Sequence, residues 1–247
     1  MKYQIHPVYL GYRDMAVHDI IYRARGEEII RMAYGVFILK GEDGSCVMID
    51  SGPPSRDEII QKRYPARHPA DNYVTAEEVR KAGVNPEEVQ TIIYTHLHWD
   101  HAWNVGDFPN AKLIVQEKEM DSAIHPLKIA VGSYGFFPQS GGPDWLRGIM
   151  RVKPVRGDCE ILPGIRVITT PGHTAGSQSV LVDTAEGTYL IPGDWIMNLR
   201  SLELELPSGS TPDVPAWYQS LDKIKTLDLA GILPGHDPRT YERPVWG

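Results

Sequence analysis

Three histidines and an aspartate fall within the six residues "HLHWDH": His96, His98, Asp100 and His101. Imidazole nitrogen and carboxylate oxygen are donors that hold divalent cations. Residues two apart face the same way on extended backbone and diverge on a helix. His96 and His98 therefore belong at the end of a strand, with Asp100 and His101 in the turn that follows. The run "TIIYT" directly before them is apolar and β-favouring, and provides that strand as a rigid arm. The two pairs then reach two neighbouring points in space, which suits two metal ions. A stable core has no use for such a cluster, because desolvating these groups without partners costs about several kcal/mol apiece.

Further donors stand where other predicted strands end. "TTPGHTAGS" puts His173 between glycines behind a β run, "YLIPGDW" ends a strand on Asp194, and "GILPGHDP" ends another on His236. Asp50 in "MIDSG" is a further acidic strand end, expected to orient a ligand histidine by hydrogen bond. The isolated His6, His18, His68 and His125 lack such company and read as ordinary core or surface residues.

With these residues in place the chain resembles the metallo-β-lactamase superfamily, whose H-x-H-x-D-H motif is met by His96, His98, Asp100 and His101. The resemblance implies an α/β fold, an αββα four-layer sandwich of two mixed β-sheets flanked by helices. It further implies that His96, His98 and His173 hold a first metal, that Asp100, His101 and His236 hold a second, and that Asp194 bridges them. The ions implied are two divalent metals, zinc first, with Mn, Fe or Co also fitting nitrogen and oxygen donors. A metal-bridging hydroxide would be the nucleophile, with Asp100 carrying a proton to the leaving group.

Within the superfamily the chain is most similar to the N-acyl homoserine lactonases, in "PGHTAGSQS" around His173 and "GHDP" around His236. A β-lactamase commonly has cysteine where Asp194 stands. Glyoxalase-II-like enzymes usually end in a basic pattern richer than Arg239 and Arg243, and persulfide dioxygenases keep fewer ligands. Diiron flavoproteins carry a flavodoxin domain and a glutamate in the histidine cluster. One departure touches the substrate: lactonases of the best-known type place a tyrosine three residues after the bridging aspartate, and here that residue is Met197, which cannot donate a hydrogen bond. Opening of a small lactone is therefore the leading expectation, with cyclic amides or imides and thioesters as alternatives and a non-hydrolytic redox protein behind them. Tyr22, Tyr134 and Trp195 are candidates to stand in for the tyrosine. Phe136, Phe137, Trp145, Tyr22, Trp195 and Met197 are expected to form an apolar cup for the substrate.

The elements that must position these residues are short apolar runs closed by Gly, Asp or Pro: "GVFILKG", "CVMID", "TIIYT", "KLIVQ", "IRVITT", "SVLVD" and "TYLIPGD". Between them "TAEEVRKAGV" reads as a helix opened by a capping box from Thr75 to Glu78, and "VPAWYQSLDKIKTLDL" as a helix with Pro215 near its start. Residues 36–50 and 180–194 echo one another as strand, turn, strand and aspartate. One domain over residues 1–247 is expected, with a long irregular insert at about 122–156 as a substrate loop.

The 25 Lys and Arg against 32 Asp and Glu leave a net charge of −7 with no basic run, which argues against nucleic acid and anionic membrane partners. A small molecule is the expected partner, and a homodimer is in keeping with the resemblance. No apolar stretch reaches the roughly 18 residues of a membrane span, and the first residues lack a signal-peptide pattern. The expected location is the cytoplasm. Cys46 and Cys159 are too few for a thiolate cage and read as buried reduced thiols.

Overall fold

Alternation along the strands decides how the layers stack. In β5 (Thr91–Ile93), Ile92 packs into one apolar cluster and Ile93 into another on the opposite face. The same division runs through β2 (Ile29–Gly41), where Ile38 joins the first cluster and Phe37 and Leu39 the second. A strand that buries both faces must lie inside a sandwich. The computed structural model describes residues 1–54, 67–68, 73–137 and 141–247, with the side chains of Arg67 and His68 outside that description.

Two sheets face each other. The first has seven strands in the order β4-β1-β2-β3-β5-β6-β7, with β1 Tyr3–Ala16, β3 Cys46–Ile49, β4 Arg67–His68, β6 Lys112–Gln116 and β7 Val152–Val155. The second has five in the order β12-β11-β10-β9-β8, with β8 Cys159–Leu162, β9 Ile165–Thr169, β10 Gln178–Thr184, β11 Gly187–Ile191 and β12 Gly231–Ile232. Both are mixed, since β3, β5, β6 and β7 run parallel, as do β11 and β12, while the remaining pairs are antiparallel.

Three buried clusters separate four layers. The outer face of the first sheet packs on α1 (Val17–Ile20), α2 (Thr75–Lys81) and α3 (Glu117–Ile124) through Val17, Ile20, Val79 and Ala123. Ile5, Val47, Ile93 and Ile114 meet Ile165, Val180, Val182 and Ile191 between the sheets. Leu181 and Leu190 on the far side of the second sheet meet Trp217, Leu221 and Ile224 of α5 (Val214–Ile224), which follows the short α4 (Leu199–Glu203). This is the αββα sandwich that the resemblance implied.

The sheets are also joined by polar groups at one end. Gln116 Nε2 donates to Gln178 Oε1 at 2.9 Å, and Gln178 Nε2 donates to the Tyr94 carbonyl at 2.8 Å, both buried. The backbone amide of Gln178 reaches the Thr95 carbonyl at 2.9 Å. These bonds lie where β5 and β10 approach one another, at the edge of the sandwich from which the histidine loop departs.

Several details differ from expectation. Strand β1 spans 14 residues, yet Pro7, Gly11 and its charged residues break any apolar run; pairing along β2, with a bulge between Tyr9 and Gly11, holds it extended. Thr75 is the first residue of α2, whose N-cap is Val74 without a side-chain cap. The capping box is absent, and the Thr75 hydroxyl instead accepts from Asn104 Nδ2 at 3.0 Å. The insert is less irregular than its composition suggests, because residues 144–151 form a 3-10 helix and Val152–Val155 pairs as an edge strand, the one place a sheet tolerates Pro154. Cys46 and Cys159 are free and only half-buried. The echo of residues 36–50 and 180–194 is real as geometry: each is an antiparallel hairpin in its own sheet that ends on an aspartate. Among the described residues no helix is long and apolar enough to cross a membrane.

Replacing Gln178 by Leu should lower unfolding stability by about 1–3 kcal/mol, because it strips a buried carbonyl of its donor. The urea midpoint measures it.

Candidate metal centre

Five strands deliver the centre from their carboxyl ends. Asp50 follows β3, His96 and His98 follow β5, His173 follows β9, Asp194 follows β11 and His236 follows β12. Backbone geometry fits each turn: Asp50 is left-handed at φ 61, and a Cβ on Gly193 (φ 59) would strike Thr95 at 2.6 Å. Trp195 and Trp217 lock the Asp194 turn onto α5. Their rings stack at 5.6 Å, and each indole N–H donates to the other's carbonyl, at 3.3 and 2.7 Å.

His96, His98, His101, His173, Asp194 and His236 are all buried, and Asp100 is nearly so. The donor atoms of His96, His98 and His173 lie within 4.8 Å of one another, and so do those of Asp100, His101 and His236. Asp194 stands between the groups. Its Oδ1 is 2.9 Å from His236 Nε2 and 3.0 Å from His101 Nε2, while Oδ2 is 3.4 Å from His173 Nε2 and 3.9 Å from His96 Nε2. All seven residues singled out by spacing and resemblance therefore meet at one place.

Whether this place suits cations is decided by its nitrogens. His101 Nε2 faces His236 Nε2 at 3.2 Å, and His173 Nε2 faces His98 Nδ1 at 3.0 Å. His96 Nε2 is buried with no hydrogen-bond partner among the described residues. His101 and His236 donate through their outer nitrogens, so their inner lone pairs repel unless a positive charge lies between them, while His98 and His173 can share one proton.

The electrostatics agree. Burial pushes the His96 and His98 imidazoles well below their ordinary range, neighbouring imidazoles adding to it, and lowers His173 despite Asp194. Burial acts the same way on His101, but Asp194, Asp50 and Asp100 outweigh it and raise that ring well above its usual value; Asp194 raises His236 likewise. Burial alone would raise Asp194, yet His236 and His101 hold it well below the carboxylate range. The protein thus offers one group of neutral rings and another that draws positive charge. A divalent ion satisfies the second group without placing two imidazolium rings 3.2 Å apart.

Outer bonds fix three of the rings. Asp50 Oδ2 holds His101 Nδ1 at 2.7 Å, the Ala33 carbonyl accepts from His236 Nδ1 at 2.6 Å, and Thr95 Oγ1 lies 3.1 Å from His96 Nδ1. Asp50 also receives the Thr95 amide at 2.7 Å and the Thr95 hydroxyl at 2.9 Å. It thus acts as expected, through a histidine.

A cleft of about 790 Å³ opens over the centre and is lined by His98, Asp100, His173 and Asp194, with Met15, Met32, Tyr34, Leu127, Ile129, Tyr134 and Met197 around them. Of the expected cup, Met197 alone lines it. Phe137 and Trp145 are buried in the first cluster with Phe136 against them, and Trp195 is fully buried beside Trp217. Tyr22 is half-buried outside the lining. These aromatics depart from expectation because large rings on a loop serve a core as readily as a cleft. The wall residues that sequence reasoning did not find are smaller and carry little chemical signal: Met15 and Met32 on β1 and β2, and Leu127 and Ile129 on the insert. Residues 138–140 of the insert lie outside the described residues.

With the geometry established, comparison with known proteins is decisive for the family. A sequence profile described as Metallo-beta-lactamase superfamily matches residues 34–236. The chain belongs to the metallo-beta-lactamase superfamily. It is 28% identical over 224 residues to an N-acyl homoserine lactonase of a Bacillus species, covering 85% of this chain and 83% of that one. It is 32% identical over 173 residues to the N-acyl homoserine lactonase AttM of Rhizobium johnstonii, covering 67% and 64%. Among solved structures it resembles an N-acyl homoserine lactone hydrolase with N-hexanoyl-L-homoserine bound at its catalytic metal centre, at a TM-score of 0.79 and 21% identity over 97% of this chain and 95% of that one. The dizinc lactonase AidC follows at 0.71 and 17%, over 98% and 88%. These likenesses establish the metallo-beta-lactamase fold, and the chain is a hydrolase of that superfamily.

His236→Ala should reduce bound metal from about two ions per chain to about one, measured by elemental analysis after dialysis. Phe137→Ala should cost about 3–5 kcal/mol of stability and leave KM unchanged, since the ring packs in the core. A raised KM at unchanged stability would return Phe137 to the cleft.

Proposed function

We propose that the chain is a dinuclear metal hydrolase that opens small lactones of the N-acyl homoserine type, with zinc the ion best suited to its donors. His96, His98 and His173 would hold one ion, Asp100, His101 and His236 the other, and Asp194 both. The observation that carries the reading is the division of Asp194, whose two oxygens face two separate histidine groups. The relatives named as N-acyl homoserine lactonases support the substrate class, and the apolar lining of the cleft suits an acyl chain.

Such an ion pair supplies Lewis-acid polarisation of the carbonyl and makes water nucleophilic near neutral pH. The chain's own residues do the rest. Asp100 lines the cleft and is the most open of the site's carboxylates, with 12% of its side chain exposed. It is placed to hold the proton that the leaving oxygen takes as the ring C–O bond breaks. Met15, Met32 and Met197 present flexible thioether chains that mould to an apolar substituent and keep water from it.

Met197, which donates no hydrogen bond to a substrate carbonyl, keeps a second reading in play, hydrolysis of a cyclic amide, imide or thioester. None of the candidates for that role offers its donor. The Tyr134 hydroxyl is given to Glu119 Oε1 at 3.1 Å, the Trp195 indole to the Trp217 carbonyl, and Tyr22 lies off the lining. One domain over residues 1–247 fits this reading, with residues between Ser122 and Tyr134 of the insert forming one wall of the cleft.

Acid release in a pH-stat should follow addition of N-acyl homoserine lactones, vanish on chelation and return with zinc. Acid release from cyclic imides or thioesters alone, or ring opening of a cyclic amide followed by chromatography because its amine product takes up the proton, with about two ions bound, would select the second reading.

A further inference from the structure

The histidines are not all held in the same way. His96, His101 and His236 each have an outer ring nitrogen within hydrogen-bond range of Thr95, Asp50 or the Ala33 carbonyl. His98 Nε2 and His173 Nδ1 are buried without such a partner among the described residues. Their rings must be oriented by something else.

What surrounds them converges on one carboxylate. Glu119, fully buried on α3, accepts the backbone N–H of Leu97 at 3.0 Å, between His96 and His98. It accepts the Thr174 hydroxyl at 2.6 Å, directly after His173. It accepts the Tyr134 hydroxyl at 3.1 Å, and the edge of the Tyr134 ring meets the His98 ring at 4.7 Å. The Gly176 amide faces the same carboxylate, and a Cβ on Gly176 would fall 2.1 Å from the Glu119 nitrogen, so the His173 loop can seat here only with glycine at that position. A buried carboxylate is costly without such donors, and each of these donors flanks His98 or His173.

We propose that Glu119 is the positioning residue for His98 and His173, fixing through Leu97, Thr174 and Tyr134 the geometry of the His96, His98 and His173 group alone. The inference rests on the dinuclear reading above. Asp50 has the corresponding task at His101 and reaches the first group only through Thr95 at His96, so Glu119 supports the first position while Asp50 holds the second directly. Loss of Glu119 then weakens the first position, whereas a general loss of packing weakens both.

The test uses the full chain stripped of metal and titrated with Co²⁺, followed by the visible absorbance of the bound ion, with the thermal midpoint of the metal-free protein measured alongside. His236→Ala identifies the binding phase of the second position. Glu119→Gln, which keeps the volume, should weaken the remaining phase by roughly 10–100-fold and leave the second unchanged. Thr174→Val, which removes one bond to Glu119, should weaken the same phase to a lesser degree, and carries the test if Glu119→Gln fails to fold. Equal weakening of both phases, or none in either variant, overturns the inference. If the parent protein binds no cobalt, the dinuclear reading falls with it; if the parent binds two ions and the variants match it, only the role of Glu119 falls.

Discussion

Lone pairs packed against lone pairs are the constraint on which the rest of this structure depends. The inner nitrogens of His101 and His236, 3.2 Å apart with their outer nitrogens already donating, and the Asp194 carboxylate beside them form an arrangement that calls for added positive charge. A fold can carry it only by holding the donors rigidly, and only if cations repay the cost.

The sandwich is suited to this task because it delivers loops from two sheets to one edge. Parallel strands β3 and β5 bring Asp50 and the histidine cluster from the first sheet; β9, β11 and β12 bring His173, Asp194 and His236 from the second. Loops from separate sheets would drift unless tied together. The Gln116 to Gln178 amide pair, the Gln178 contacts to Tyr94 and Thr95, and the reciprocal tryptophans under Asp194 supply the ties. Each is a buried, satisfied polar contact, of the kind that specifies a single arrangement more than it adds stability.

The centre is far more legible in the sequence than the cleft, for a physical reason. Metal donors are few in type, and their spacing in "HLHWDH" has meaning only on an extended arm, so residue type and order along the chain suffice to pick out all seven. Asp50 is legible through the resemblance, as the superfamily's other acidic turn at a strand end. Cleft walls are made by residues whose chemistry is generic. Met32 lies in a strand that reads as core, and the aromatics of the insert go into the first cluster, where burial gains most from large rings. Strand β1 is hidden in the sequence because pairing partners, not local composition, keep it extended. The capping box fails because Thr75 has a competing partner in Asn104, remote in sequence. Glu119 carries no local signal at all: a glutamate in the first turn of a helix is ordinary until the fold buries it against two histidine loops.

This difference in legibility marks a division of labour. The centre is rigid, polar and fixed from several directions, so the substitutions open to it are few. The cleft above it is lined by methionine and aliphatic side chains from β1, β2, the insert and the turn after Asp194, none of which the centre needs for its geometry. Met197 sits where these two regions meet, three residues beyond the bridging aspartate and within the cleft wall. A hydroxyl there would join the polar machinery; a thioether leaves the position to the apolar wall. With a thioether at Met197, the cleft wall beside Asp194 offers apolar contact and no hydrogen-bond donor at that position.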